Sequence, residues 1–236
     1  MSIAENVARI RAEIEKAALA AGRDPKSITL CAATKINDAQ RVKEAIAAGV
    51  SCCGENRVQE LTQKLAQNAY EGAAVHFIGH LQTNKVKQVV GRVGLIQSVD
   101  SDRLLAAISK EAKLQGICQD ILLEVNIAAE ESKSGLTVQG LYEILEKIKD
   151  FPNIRVLGLM AIPPVCENSG DNNKFFQEIC HLAVDITRKK YDNVRMEILS
   201  MGMSDDFADA ISCGSTMIRV GTAIFGARNY AKDSSK

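Results

Sequence analysis

Excess charge of either sign is missing from this chain: 29 lysines and arginines offset 29 aspartates and glutamates, for a formal net charge of 0. That removes the basic field that phosphate backbones or anionic lipid surfaces select, so neither nucleic acid nor membrane is an expected partner. Long apolar runs are missing too, and none approaches the roughly 18 residues that cross a bilayer. The opening MSIAENVARIRAEIEK lacks the charged-then-apolar order of an export signal, so the expected compartment is the cytoplasm. The seven cysteines (Cys31, Cys52, Cys53, Cys118, Cys166, Cys180, Cys213) are odd in number and contain no C-x-x-C. They read as buried, reduced thiols rather than a disulfide framework. His76 and His80 are the only closely spaced histidines, with no acidic or thiol cluster beside them along the sequence, so no metal site is expected. No linker, repeat or low-complexity stretch divides the 236 residues. The expectation is one domain over residues 1–230 followed by a polar tail, 231–236.

What is present is alternation. Ile3, Val7, Ile10, Ile14 and Ala17 keep helical spacing up to Gly22. Short apolar runs then predict strands near Ile28–Ala33, Ser51–Gly54, Val75–Gly79, Leu95–Ser98, Asp120–Asn126, Ile154–Met160, Arg195–Leu199 and Thr216–Val220. Helical patterns fill the gaps: Ala39–Ala48, Arg57–Asn68, Asn84–Val90, Arg103–Gln115, Val138–Lys149, Asn173–Lys190 and Asp206–Cys213. Asp38, Asp102 and Thr137 stand where N-caps belong, and Gly49 and Gly116 where helices close. Eight strands with a helix between each pair, plus a leading helix, predict an α/β fold: a single (β/α)8 TIM barrel with an extra N-terminal helix. An open doubly wound sheet is the competing arrangement. Against it, no G-x-G-x-x-G follows the first strand; a lysine stands there instead.

That lysine is Lys35, at the end of the run ITLCAATK. The carboxyl ends of strands are where α/β folds bind ligands. A desolvated lysine tends toward its neutral form, the form that condenses with an aldehyde. The plain alternative, a surface lysine at a helix start, fits poorly after seven largely apolar residues. Lys85, in a first helical turn, and Lys133, in a loop, compete less well because neither ends a strand. Two loops supply a complement: Ser200-Met201-Gly202-Met203-Ser204 after strand seven, and Gly221-Thr222 after strand eight. Barrel phosphate sites often lie in these two places; Gly202 and Gly221 admit close backbone approach, and Ser200, Ser204 and Thr222 bring hydroxyls. Glycine and serine are also ordinary turn residues, but two such loops in the two expected positions favour an anion site. An amine plus a phosphate cradle points to pyridoxal 5′-phosphate (PLP). Arg219, just before the second loop, would form a rim salt bridge or face the pyridine nitrogen, to which a guanidinium donates without surrendering a proton. Asn56 would cap the helix after strand two or reach the cofactor. His76 reads as a satisfied strand histidine, His80 as a rim residue, and Met160 and Met203 as packing.

Together ATKIN with Lys35, GENRVQE (54–60), HFIGHLQTNK (76–85), GLMAI (158–162), LSMGMSDDFADAI (199–211) and GSTMIRVGTAIFG (214–226) resemble the YggS/PROSC family of PLP homeostasis proteins. The resemblance covers nearly the whole chain and implies the barrel of the alanine racemase N-terminal domain. It further implies PLP held as an aldimine on Lys35, phosphate contacts from Ser200, Gly202, Ser204, Gly221 and Thr222, and Arg219 at the ring nitrogen. The implied role is PLP buffering or delivery, with apo PLP-dependent enzymes as recipients and no ordinary turnover. The alternative is a PLP-dependent racemase or decarboxylase. Racemisation needs a proton donor on each face of a carbanion, and in barrel racemases a second domain supplies one, typically a tyrosine. Tyr70, Tyr142 and Tyr191 fall in helical stretches and Tyr230 in the tail, and the sequence leaves no room after the last strand for such a domain, so binding without catalysis is expected. A third reading, a barrel for another phosphorylated metabolite, would keep the loops and make Lys35 an electrostatic partner. With one barrel, a monomer is the default.

Overall fold

β-branched and small apolar residues bounded by glycine and polar turns pair side by side, and the pairing closes on itself. In the computed structural model, eight parallel strands form a closed barrel in sequence order: β1 (Thr29–Ala33), β2 (Cys52–Glu55), β3 (Ala74–Phe77), β4 (Leu95–Val99), β5 (Gln119–Val125), β6 (Ile154–Ala161), β7 (Val194–Ser200) and β8 (Met217–Val220). The structure describes residues 1–130, 134–165 and 168–226. Lys133, Cys166, Tyr230 and the tail after 230 lie outside these. Closure pairs the last strand with the first, Thr29 with Met217, Cys31 with Arg219 and Ala32 with Val220. The two loops after β7 and β8 therefore stand beside the end of β1.

Helices run outside: α1 (Ile3–Ala20), α2 (Ala39–Ala47), α3 (Val58–Ala66), α4 (Asp102–Gln115), α5 (Val138–Lys147), α6 (Asn173–Lys189), α7 (Phe207–Ser212) and α8 (Thr222–Phe225). Alternation sends Leu30, Ala32, Cys53, Phe77, Ile96, Ile121, Leu123, Ile218 and Val220 outward into one core shared with the helices. The opposite positions fill the lumen. There Leu95, Leu122 and Met160 pack with Leu157 and Ile198 on one side, and Cys31, Cys52 and Met217 cluster on the other.

The leading helix is a latch. Ser2 and Glu5 form a reciprocal capping box at its start, and Val7, Ile10, Ile14 and Ala18 are buried. Its Asn6 donates to the Ile224 carbonyl at 2.9 Å. Just beyond it, Arg23 donates to the Ile211 and Ser215 carbonyls, each at 2.7 Å. The N-terminal segment thus holds the C-terminal one.

Three local expectations change. The stretch 84–90 is a 3₁₀ segment, Thr83–Gln88, rather than an α-helix. The cap of α4 is Ser101, whose hydroxyl accepts from the Leu104 N–H, and Asp102 is the first helical residue. Two adjacent cap formers leave sequence one residue short of a decision. Asn56 caps nothing: Arg57 precedes α3 and makes no side-chain cap bond.

Candidate functional site

β1 ends at Ala33, so Lys35 stands two residues beyond it, on the rim rather than inside the wall. It is half-buried, wetter than a lysine within the strand would be. Its backbone is gripped from below. The Thr34 carbonyl accepts from Lys64 Nζ at 2.8 Å, and the Ile36 N–H is held by the Glu60 carboxylate at 2.7 Å. Asn37 Nδ2 donates to the Lys35 carbonyl at 3.0 Å. Ile36 has φ of +67°, a left-handed conformation that costs a β-branched residue about 1–2 kcal/mol. Strain of this kind persists where surrounding contacts enforce it, and it collects at functional sites.

The enforcing contacts form a buried cluster on the outer face of β1 and β2. Glu55, fully buried, accepts from Lys64 Nζ at 2.5 Å, the Thr34 hydroxyl at 2.5 Å and the Tyr70 hydroxyl at 2.9 Å. Lys64 also lies 3.5 Å from Glu60, so one buried ammonium bridges the carboxylate beneath Thr34 and the one beneath Ile36. Burial, then the Glu55 charge, pushes the Tyr70 phenol above its ordinary value. Nothing in sequence singled out this cluster.

At the end of β2, Asn56 is half-buried, and its Oδ1 is buried with no hydrogen-bond partner. An orphaned acceptor beside a rim lysine points to a donor from outside the chain. Gly79 fixes Asn56 in place: a Cβ on it would lie 2.1 Å from the Asn56 carbonyl oxygen. The Ser98 hydroxyl pins Gly79 by donating to its carbonyl at 2.6 Å.

The loop after β7 is rigid. Gly202 has φ of +94°, and a Cβ there would meet Ala210 Cβ at 2.6 Å and Phe207 Cα at 3.0 Å, so α7 packs where only glycine fits. The Gly202 carbonyl accepts from the Arg219 N–H at 3.0 Å. Buried Asp206 accepts from the Met203 N–H at 2.7 Å and from Asn172 Nδ2 at 2.9 Å. Ser204 and Thr222 bring their hydroxyls within 3.4 Å of each other, so the two loops meet. Gly221 has no positive φ; a Cβ there would touch Ala33 O at 3.3 Å, so this loop abuts the strand that carries Lys35.

Arg219 and Ser200 lie deeper. Arg219 is buried and donates to Ser200 Oγ at 2.6 Å and to the Ala161 carbonyl at 2.9 Å. Burial pulls its guanidinium below the ordinary value, against the opposing pull of Cys31, Glu124 and Asp206. The rim salt bridge foreseen as its alternative is not what holds it. Ser200 Oγ accepts from Arg219 and donates to Gln97 Oε1 at 2.6 Å, which commits this hydroxyl to positioning the arginine from below the loop. Gln97 Nε2 then faces His76 Nδ1 at 2.9 Å, so His76 is partnered, as its reading as a satisfied strand histidine requires. It is not alone, however. Cys31, Cys52 and His76 place their donor atoms within 4.8 Å of one another. The expectation that no thiol cluster accompanies the histidines is corrected: parallel pairing of β1, β2 and β3 brings two sequence-distant thiols to His76. His80 stands at the rim, 3.2 Å from the Asp100 carboxylate.

Residues 2–229 match the family described as alanine racemase, N-terminal domain. A pyridoxal phosphate homeostasis protein of Aquifex aeolicus is 41% identical over 230 residues, spanning 98% of this chain and 100% of its own. This chain belongs to that family. A second pyridoxal phosphate homeostasis protein, from Pseudomonas aeruginosa, is 38% identical over 234 residues and 99% of both chains. Among solved structures, PipY of Synechococcus elongatus with PLP bound superposes with a TM-score of 0.83 at 31% identity, covering 95% of this chain and 100% of its own. The barrel expected from alternation is the barrel of the family.

Proposed function

We propose that this protein binds PLP through the Lys35 amine and serves to buffer or deliver the cofactor inside the cell. The observation that carries the reading is the β8–β1 closure, which sets Gly221 and Thr222 against the end of the strand bearing Lys35. The residues present fit the group. Asn56 Oδ1 is an acceptor awaiting a donor, the joined Ser204 and Thr222 hydroxyls suit phosphate oxygens, and buried Arg219 offers a permanent donor to a ring nitrogen. PLP supplies an aldehyde that condenses with an amine and a ring that withdraws electrons. Lys35 brings that amine, steadied by the Lys64–Glu60 grip on its flanking peptides. Gly202 and Gly221 give the backbone a close approach, and Ser200 orients Arg219.

Binding without ordinary turnover is favoured over racemisation by where the acid–base groups lie. Among the described residues, the Tyr70 hydroxyl is spent on Glu55, Tyr191 donates to Glu146, and Tyr142 lies under Lys189. None stands across from Lys35 as a second proton donor. An arginine opposite the ring nitrogen also makes the ring a weaker electron sink than a carboxylate would. The same reading makes apo PLP-dependent enzymes the recipients, the cytoplasm the compartment and the monomer the working form. No helix among the described residues is long and apolar enough to cross a membrane.

The test is to incubate the purified protein with PLP, follow the visible absorption band, reduce with borohydride and map the labelled peptide. A label on Lys35 that Lys35→Ala abolishes is expected; a label on Lys85 instead, or none, overturns the covalent assignment. Racemisation or decarboxylation of any amino acid approaching about 1 per second would make the protein an enzyme.

A further inference from the structure

The lumen beneath the site contains a group that PLP binding does not use. β1 and β2 run in register with Cys31 opposite Cys52, and β3 sets His76 opposite Gly54, two residues further along β2. All three side chains are buried. Cys52 Sγ lies 3.4 Å from His76 Nδ1 and 3.9 Å from Nε2. We propose that Cys31, Cys52 and His76 form a zinc-binding site in the barrel lumen.

Three arguments carry it. Tetrahedral zinc, with bonds of about 2.3 Å to sulfur and 2.0–2.1 Å to nitrogen, sets its ligands about 3.6–3.8 Å apart. The observed donors, none more than 4.8 Å from another, need only a small contraction to reach that shell. Charge is the second argument. A divalent cation on two thiolates and a neutral imidazole is neutral overall, which suits a dry interior where a lone charge is costly. Both thiol protons leave to solvent as the metal enters. The third argument is the support around the histidine. Gln97 sits on Nδ1 and is itself held by Ser200. With metal on Nε2, the Nδ1–H needs an acceptor, and Gln97 supplies one by turning its amide over, which exchanges its present bonds from Ser200 and to Met217 for the kind of outer partner that metal-bound imidazoles use. Met217 packs on both cysteines, and its sulfur accepts from the same Gln97 amide at 3.1 Å, so a thioether borders the site.

The experiment uses the full chain, reduced with a phosphine, stripped with chelator and titrated with Co2+ as a spectroscopic probe, then with Zn2+. One cobalt per chain is expected, with thiolate-to-cobalt charge-transfer absorption and tetrahedral visible bands that one equivalent of zinc erases. Cys31→Ser and Cys52→Ser should each weaken zinc binding by at least about 100-fold, beyond what loss of a supporting residue alone does. Cys118→Ser/Cys213→Ser, at the exposed and half-buried thiols, should leave it unchanged. Circular dichroism checks that each variant folds; if a cysteine variant does not, His76→Gln gives the same reading by losing tetrahedral cobalt while keeping both thiols. Binding well below one equivalent, an octahedral spectrum without charge transfer, or charge transfer that survives in folded Cys31→Ser/Cys52→Ser overturns the proposal. The Lys35 labelling experiment is independent of all these residues, so failure of one reading is separable from failure of the other.

Discussion

The two faces of the β1–β2 wall are both buried and both polar, and they are stabilised by opposite means. On the outer face, Glu55, Thr34, Lys64 and Tyr70 meet as hard oxygen and nitrogen groups around one ion pair. On the lumen face, a residue or two away, Cys31, Cys52 and His76 are soft, polarizable groups, reached from Arg219 by hydrogen bonds that run through Ser200 and Gln97 to His76. The outer face carries full charge, so its members are mutually dependent. On the lumen face the thiols and imidazole tolerate burial singly, and the guanidinium of Arg219 is met by the neutral acceptors Ser200 and Ala161. The rim lysine inherits its position from the first and its surroundings from the second.

The sharpest way to break this comparison is to remove one partner from each face. Lys64→Met leaves the Glu55 carboxylate buried without its cation, and breaking a buried pair from one side costs about 3–5 kcal/mol. An unfolding free energy lower by that amount is expected from urea titration, largely restored in Lys64→Met/Glu55→Gln. Cys52→Ala in metal-free protein should cost only about 1–2 kcal/mol; equal losses would show that the faces do not differ. Ile36→Gly addresses what the outer cluster enforces. Glycine accepts φ of +67° without the Cβ clash, so the fold should gain up to about 1 kcal/mol, while PLP retention falls because the lysine is less firmly aimed. Dialysis half-time of the bound cofactor measures the second effect. The smallest effect sharpens the lumen side. Glu124 on β5 has its pKa raised, mainly by burial, against a hydrogen bond from Ser134. Its protonated form therefore favours the fold. That contribution is complete below the ordinary carboxylate range and is lost as pH climbs through the raised value. Glu124→Gln should flatten the fall in urea midpoint as pH rises above the ordinary carboxylate range, and an unchanged slope would place the titrating group elsewhere.

Sequence carried the architecture because strand and helix periodicities are local. Eight apolar runs bounded by turn residues are legible without knowing their neighbours, and the observed strands shift by only a residue or two. The places of Lys35, Gly202 and Gly221 after β1, β7 and β8 were legible because they follow from the strand count; their roles toward PLP belong to the proposed function. Asn56 was half legible: its sequence position suggested a cap, and only the buried, unpartnered Oδ1 turned it toward a ligand. The bonds of the Ser200 hydroxyl to Gln97 and Arg219 were not foreseen, since a serine in a glycine loop reads first as a phosphate donor. The Lys64–Glu55 cluster and the thiol–imidazole cluster were invisible for one shared reason. Their members come from different strands and helices, 24 positions apart for Cys52 and His76 and nine for Glu55 and Lys64, and no short motif announces them.

Because β8 seals the barrel against β1, Lys35 and the loops proposed to hold the phosphate do not come together until the final strand has docked. A chain emerging from the ribosome displays Lys35 early but gains the loops after β7 and β8 only near the end of synthesis, when α1 also finds the Ile224 carbonyl it must clasp. On the proposed reading, cofactor capture is tied to completion: an unfinished or C-terminally clipped molecule would offer an amine and no grip.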